Sequence, residues 1–415
     1  MVLVSHPSGN ENVSAVVSGL FERDLLSAYC TCILWRPENL LARFVPGGMR
    51  ALLERRSKVQ LPPELVRTRP LREILRNLLL KVGQGRGIKG EDNPISVDGV
   101  YRDLDRYVAG ILPRMQRSDA NLRGVYAYED GALHQFRVAA KLGIHRVYDL
   151  PISYWRTNHA FSREEAELKP AWRGTLKALT DGPRKCARKD EELALADTIV
   201  VASDFTRSTL EGYPGALKKT VVIPYGTPAP SGVARKLTSK AQPLRVLYVG
   251  SLQQRKGMSY LFDAVSLAGS AVTLTLIGRK GGICAELDIH CAQHRWLESV
   301  PHGEVLAEMS RHDVLVFPSL FEGFGLVIGE ALSQGLPVIT TANTGGPDIL
   351  RDGKQGFIVP IRNPEAIAAR LLQLHQDREL LLEMSEAART RAGELSWQAY
   401  KDRTVALVRE AVAAE

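Results

Sequence analysis

Between Leu244 and Val359 the chain alternates short, continuously apolar runs with amphipathic stretches. The runs predict strands at Leu244–Val249, Thr273–Ile277, Leu297–Val300, Val314–Phe317, Pro337–Thr341 and Phe357–Val359, with helices between them. A strand that is apolar on both faces must be covered on both faces, and helical crossovers are what cover it. The expected product is a parallel sheet sandwiched by helices. The same alternation opens the chain. It predicts a strand at Val2–Ser5, a helix over 13–26 and a strand over 30–35. Further on it predicts strands at Gly124–Tyr128, His145–Leu150, Thr198–Ala202 and Val221–Ile223, a helix over 132–142, and another capped by Ser203. A stretch rich in Pro, Ser, Gly, Lys and Ala separates the halves. The reading is therefore α/β, with two Rossmann-like domains facing a central cleft. They cover 1–226 and 244–395, joined by a linker at 227–243. A terminal helix at 396–415 is expected to pack back on the first domain.

The formal charge of +8 is not evenly spread. Residues 41–90 hold twelve Lys or Arg against three Glu, so the remainder is close to neutral. Within this basic insert, 70–81 predicts a cationic amphipathic helix, a candidate for peripheral contact with an anionic membrane. Stacking aromatics are not interleaved there, so nucleic acid is not expected as a partner. The first residues lack the basic and apolar regions of a signal peptide, and no apolar run reaches transmembrane length. Five scattered cysteines form no disulfide framework and point to a reducing, cytoplasmic setting. The cluster Cys284, His290, Cys291 and His294 has no common zinc spacing, so no metal is expected.

The most informative stretch is Pro318–Gly335, PSLFEGFGLVIGEALSQG. It predicts a strand end, a glycine loop, then a helix from Leu326. The first turn of a helix presents unpaired N–H groups and partial positive charge, a natural seat for a diphosphate. Glycines 323 and 325 would let a ligand approach the backbone. Glu322 stands where a carboxylate could accept hydrogen bonds from sugar hydroxyls. Glu330 lies in an otherwise apolar helix, where an ionised group needs donors such as two ribose hydroxyls.

The spacing Glu322 to Glu330 in EGFGLVIGE resembles the signature of glycosyltransferase family 4, retaining enzymes of GT-B fold. Flanking segments at 246–265, 312–320, 335–350 and 352–360 resemble the same family. The resemblance implies donor binding by the C-terminal domain and acceptor binding by the N-terminal one. It implies that Glu322 meets the donor sugar, that Glu330 holds the ribose, and that Gly323, Phe324, Gly325 and Leu326 line the sugar-phosphate. Gly250 and Ser251, then Arg255 and Lys256, match its phosphate-facing segment. Ser251 stands where relatives often carry Arg, and Arg255 is the candidate replacement. With no metal, Arg255 and Lys256 would stabilise the leaving diphosphate.

In the N-terminal half, the loop holding Gly9 and Asn12 occupies the position of the family's glycine loop near the donor phosphates. At 147–151, Val-Tyr-Asp-Leu-Pro places Tyr148 where many relatives have His. Tyr148 and Asp149 are the acceptor-side candidates, while His6, His134 and His159 read as structural. The implied activity is transfer from a nucleotide-diphosphate sugar to a glycan or lipid-linked hydroxyl in envelope polysaccharide synthesis, in the cytoplasm or at the inner membrane face. An epimerase or phosphorylase of the same fold and a non-catalytic sugar-nucleotide binder are the alternatives. The nicotinamide fingerprint is absent after Val4 and Val249.

Overall fold

A computed structural model describes residues 1–34, 59–81, 83, 88, 90–176, 181–232 and 239–413. Much of the basic insert therefore lies outside the described residues. The N-terminal strands are β1 (Val2–Ser5), β2 (Leu26–Thr31), β3 (Val66–Thr68), β4 (Gly124–Tyr128), β5 (His145–Leu150), β6 (Thr198–Val201) and β7 (Lys219–Val222). They form one parallel sheet in the order β3-β2-β1-β4-β5-β6-β7. The second sheet holds β8 (Leu244–Val249), β9 (Val272–Ile277), β10 (Arg295–Leu297), β11 (Val314–Phe317), β12 (Val338–Thr341) and β13 (Gly356–Val359). It is also parallel, in the order β10-β9-β8-β11-β12-β13. β1, β6, β11 and β12 are buried along their whole length, as strands covered on both faces must be.

Three local expectations need correction. The first helix is Glu11–Phe21, not 13–26. Asn10 caps it by accepting from the Val13 N–H, and the chain turns at Asp24, where φ is +55°. That turn frees Leu26 to start β2, so the strand expected over 30–35 begins four residues earlier. The strand expected at Leu297–Val300 is instead Arg295–Leu297, and His302–Arg311 is helical. Two long helices lie outside the predicted elements: Val97–Ser118, which buries Val100, Leu104, Val108 and Leu112 along one stripe, and Trp155–Leu168, which is polar through most of its length.

The order of each sheet reverses between β1 and β4 and between β8 and β11. Open α/β sheets bind ligands outside the carboxyl ends of strands at such points. A large apolar cluster bridges the halves, running from Val4 and Tyr128 through Tyr225 and Tyr400 to Leu247, Phe317 and Phe324. The terminal helix Trp397–Ala413 lies against Glu11–Phe21 through Lys401–Glu22 (2.7 Å) and Arg23–Asp402 (2.9 Å). Its Tyr400 is fully buried, edge-on to Tyr225 at 5.6 Å. Tyr400→Ala should cost about 3 kcal/mol or more, the usual effect of emptying an aromatic site in a core. Urea denaturation of the full chain checks it; a loss below about 1 kcal/mol would show that this helix is not part of the joint core.

Candidate active site at the lobe interface

β8 and β11 pair side by side, so the loops after Val249 and Phe317 leave the sheet together. Gly250 and Ser251 leave β8, and the Tyr248 hydroxyl donates to the Ser251 carbonyl at 2.9 Å. A short 3₁₀ turn, Gln254–Lys256, follows. From the neighbouring strand comes Glu322. Its Oε2 accepts from the Arg255 guanidinium at 2.8 Å and from the Lys256 ammonium. All three side chains are mostly withdrawn from solvent. Arg255 also donates to the Phe321 carbonyl at 3.0 Å and lies over the Phe321 ring, while Lys256 lies 4.7 Å from the Phe317 ring centroid.

Burial pushes the Arg255 guanidinium down to about 10, and burial together with Arg255 pushes the Lys256 ammonium well below the ordinary lysine range. Two desolvated cations facing one carboxylate leave a local excess of positive charge. An anion arriving there restores the proton affinity of both cations.

The helix Leu326–Ser333 starts beside this triad. Its two preceding glycines are required by the protein's own backbone and packing. Gly325 takes a left-handed φ of +88° against the Phe317 ring. A Cβ on Gly323 would lie 1.9 Å from the Pro151 carbonyl oxygen, so this glycine admits the close approach of the opposite lobe. Phe324 turns inward and meets Tyr225 edge-on at 5.2 Å. Leu326 is half-buried at the helix start. One turn along, Glu330 is mostly shielded, with His302 Nε2 at 3.8 Å from its carboxylate.

Asn12 reaches the same area: its Nδ2 donates to the Tyr225 hydroxyl at 3.4 Å. The Gly9 N–H is turned to His6 Nδ1 at 2.9 Å, and His6 packs edge-on against Tyr128. Tyr148 is not on the acceptor side. It is 0% exposed, points into the opposite core and donates to Glu192 Oε2 at 3.1 Å. Asp149, its neighbour on the other face of β5, is 1% exposed and accepts from Tyr126 at 2.7 Å, so it too cannot touch an acceptor. Burial raises its carboxyl to about 7. His134 lies beside Arg106, and the His159 ring packs on Trp155. His290 and His294 stack on Phe262 while Cys284 Sγ faces the Ala171 carbonyl. Among the described residues, no three His, Cys, Asp or Glu side chains are grouped to hold a metal.

The sequence did not disclose how the lobes are joined at this site. The Ser203 and Thr206 hydroxyls donate to the Gly323 carbonyl at 2.6 and 3.0 Å. The Asp204 N–H donates to Asp348 Oδ1 at 2.9 Å. Glu165, on the N-terminal helix Trp155–Leu168, is 0% exposed. It accepts from Gln254 (2.7 Å) and Tyr260 (2.9 Å) on one oxygen and from Arg362 (2.8 Å) on the other. Trp172 packs against Phe262 of the second lobe, and Thr175 Oγ1 accepts from the Gln254 N–H. The one signal that could have pointed here is that Gln254 adjoins Arg255 in sequence.

The family described as glycosyl transferases group 1 matches residues 233–391. Over 258 residues the chain is 33% identical to D-inositol 3-phosphate glycosyltransferase of Geodermatophilus obscurus, covering 55% of this chain and 56% of that protein. The chain thus spans just over half the length of this relative. Sucrose-phosphate synthase of Thermosynechococcus elongatus superposes over 100% of this chain and 99% of its own, at TM-score 0.67 and 17% identity. Anabaena HepE in complex with UDP-glucose covers 99% of each chain at TM-score 0.59 and 15% identity. The fold is GT-B. Its C-terminal lobe carries the group 1 glycosyltransferase match, and its two lobes meet at the loop that bears Glu322.

In this GT-B chain, Glu165 joins the lobes beside the cationic turn. Glu165→Ala would remove the acceptor shared by Gln254, Tyr260 and the Arg362 Nε, while Arg362 keeps Glu164 and Gln254 keeps Ser259, a loss of about 1–3 kcal/mol. Glu165→Gln, which keeps shape and one acceptor, should lose less. Denaturant titration of both variants measures this; equal stability of Glu165→Ala and wild type would show the network contributes nothing to holding the lobes.

Proposed function

We propose that the protein is a retaining glycosyltransferase of family 4 that moves a sugar from a nucleotide-diphosphate donor to a hydroxyl of a glycan or lipid-linked acceptor. The observation that carries the reading is the buried contact of Glu322 with both Arg255 and Lys256, at the switch point of the second sheet and the start of a helix. With donor bound, the diphosphate takes the two cations and the Leu326 helix start, with Gly323, Phe324, Gly325, Gly250 and Ser251 around it. Glu322, released from its cation partners, accepts from the sugar hydroxyls. Glu330 accepts from the ribose. The loop of Gly9 and Asn12 approaches from the other lobe.

As the glycosidic bond breaks, negative charge grows on the leaving phosphate. Fixed cations in a water-poor site stabilise that charge more than they stabilise the ground state. No metal is assigned a role. The leaving phosphate, held on the acceptor's face of the sugar, takes the proton of the incoming hydroxyl, and configuration is kept. A role in envelope polysaccharide synthesis, at the inner face of a cytoplasmic membrane, belongs to the same proposal.

UDP-glucose, the ligand of the HepE structure, is the first donor to test, followed by GDP- and ADP-sugars. Glu322→Ala and Lys256→Ala should each lower kcat/KM by about 10²–10³-fold, as loss of an oxyanion-type contact does. Nucleotide release reads the rate, and NMR of the product reads the anomer. Unchanged rates in both variants, or a β-linked product from an α donor, would overturn the assignment.

The helix Leu71–Lys81 supports the membrane part. Leu71 is 72% exposed, and Ile74, Leu75, Leu78 and Leu80 are also exposed, on a helix carrying Arg72, Arg76 and Lys81. Apolar side chains flanked by cations suit the boundary of an anionic bilayer. Among the described residues no helix is long and apolar enough to cross a membrane. The chain should co-sediment with phosphatidylglycerol vesicles and much less with phosphatidylcholine, and Leu75→Glu with Leu78→Glu should abolish the difference. Equal partitioning of wild type and variant would remove this helix from the contact.

A further inference from the structure

A cavity of about 260 Å³ lies between the helix Trp155–Leu168 and the turn bearing Arg255. Trp155, Asn158, Ser162 and Asp181 line it from the first lobe, and Gln253 and Arg255 from the second. We propose that this cavity receives one saccharide ring of the acceptor; the proposal rests on the glycosyl-transfer reading above.

Its position is the first argument. Arg255 is at once a wall of the cavity and a hydrogen-bond partner of Glu322, so an occupant sits next to the reacting groups. The second is Ser162. Its side chain is 1% exposed, lines the cavity, and its Oγ is buried without a hydrogen-bond partner. Such atoms are rare in folded proteins and call for an explanation. A hydroxyl that can both donate and accept is answered by a ligand that does both.

Charge narrows the class. Burial would raise the Asp181 carboxyl, but Lys189 and Lys185 outweigh it and hold it below the ordinary range, so it remains an acceptor for ligand hydroxyls. The Lys189 ammonium is already shared between Asp181 and Glu129, both at 3.2 Å. Lys189 is thus neutralised by the protein itself, and Arg255, the other cation of the wall, is taken up by the donor diphosphate in the reading above, which leaves the cavity to an uncharged ring. The rings of Trp155 and Phe321 supply apolar surface beside these polar groups. Apolar walls with a few convergent polar groups fit the alternating C–H and O–H faces of a sugar. The volume is below the roughly 300–1,000 Å³ of drug-sized sites, enough for a single ring.

The test uses the full-length chain, saturated with UDP, GDP or ADP in turn. Methyl glycosides of glucose, galactose, mannose and N-acetylglucosamine are titrated by saturation-transfer NMR, and nucleotides and their sugars by calorimetry. Wild type should bind at least one glycoside. Ser162→Leu, which fills the cavity, should weaken that binding at least ten-fold while nucleotide-sugar affinity stays within two-fold. Ser162→Ala, which keeps the space and removes the hydroxyl, should weaken it by about five-fold, the effect of one hydrogen bond.

Three results would overturn the proposal: no glycoside of the panel binding, equal binding by wild type and both variants, or a parallel fall in nucleotide-sugar affinity that assigns the cavity to the donor's sugar. Absence of any nucleotide or nucleotide-sugar binding in wild type would instead count against glycosyl transfer itself.

Discussion

Three charged side chains share a corner with little access to water, where β8 and β11 end together. Arg255 and Lys256 are two cations, and Glu322 is their common carboxylate. Burying one such pair is close to break-even, because desolvation cancels most of the attraction. A second cation on the same oxygen goes beyond break-even. Burial lowers the proton affinity of both cations, and for Lys256 the neighbouring Arg255 lowers it further. A ligand with concentrated negative charge counters this, and frees Glu322 to accept hydrogen bonds elsewhere. The physical demand of this corner is therefore for negative charge beyond the single carboxylate that Glu322 supplies.

Everything else in the structure constrains where that corner sits. Both loops leave adjacent parallel strands, so their relative position is set by the sheet. On the other side, the Gly323 carbonyl is held by two hydroxyls of the first lobe, and Gln254 by Glu165 and Thr175. Both contacts fall within one or two residues of the charged triad. The loops that carry the charged triad are also loops through which the lobes touch.

The C-terminal part of the site was legible because it is local in sequence. Strand, glycine loop and helix follow one another from Val314 to Ser333, and two carboxylates eight positions apart fall at the loop and one turn into the helix. What the pattern could not supply was the reason for its glycines. Gly323 is small for the sake of Pro151, a residue far away in sequence. Glu165 was silent for the same cause. Its partners Gln254, Tyr260 and Arg362 lie 89, 95 and 197 residues on, and a glutamate within a polar helix carries no local mark of burial. Tyr148 misled because a family position does not fix direction. Strand residues alternate faces, and this one falls on the face covered by the helix Pro183–Leu195, where Glu192 accepts the hydrogen bond from its hydroxyl.

These placements bear on how the site can move. Separating the lobes means releasing the Gly323 carbonyl, the Asp348 carboxylate and the buried Glu165 network together. The first of these is bound to the residue next to Glu322, and the last to the residue next to Arg255. A rigid-body opening therefore pulls on the triad from both sides and does not leave it undisturbed. The lobe contacts and the charged triad are thus separated by single peptide units on both sides.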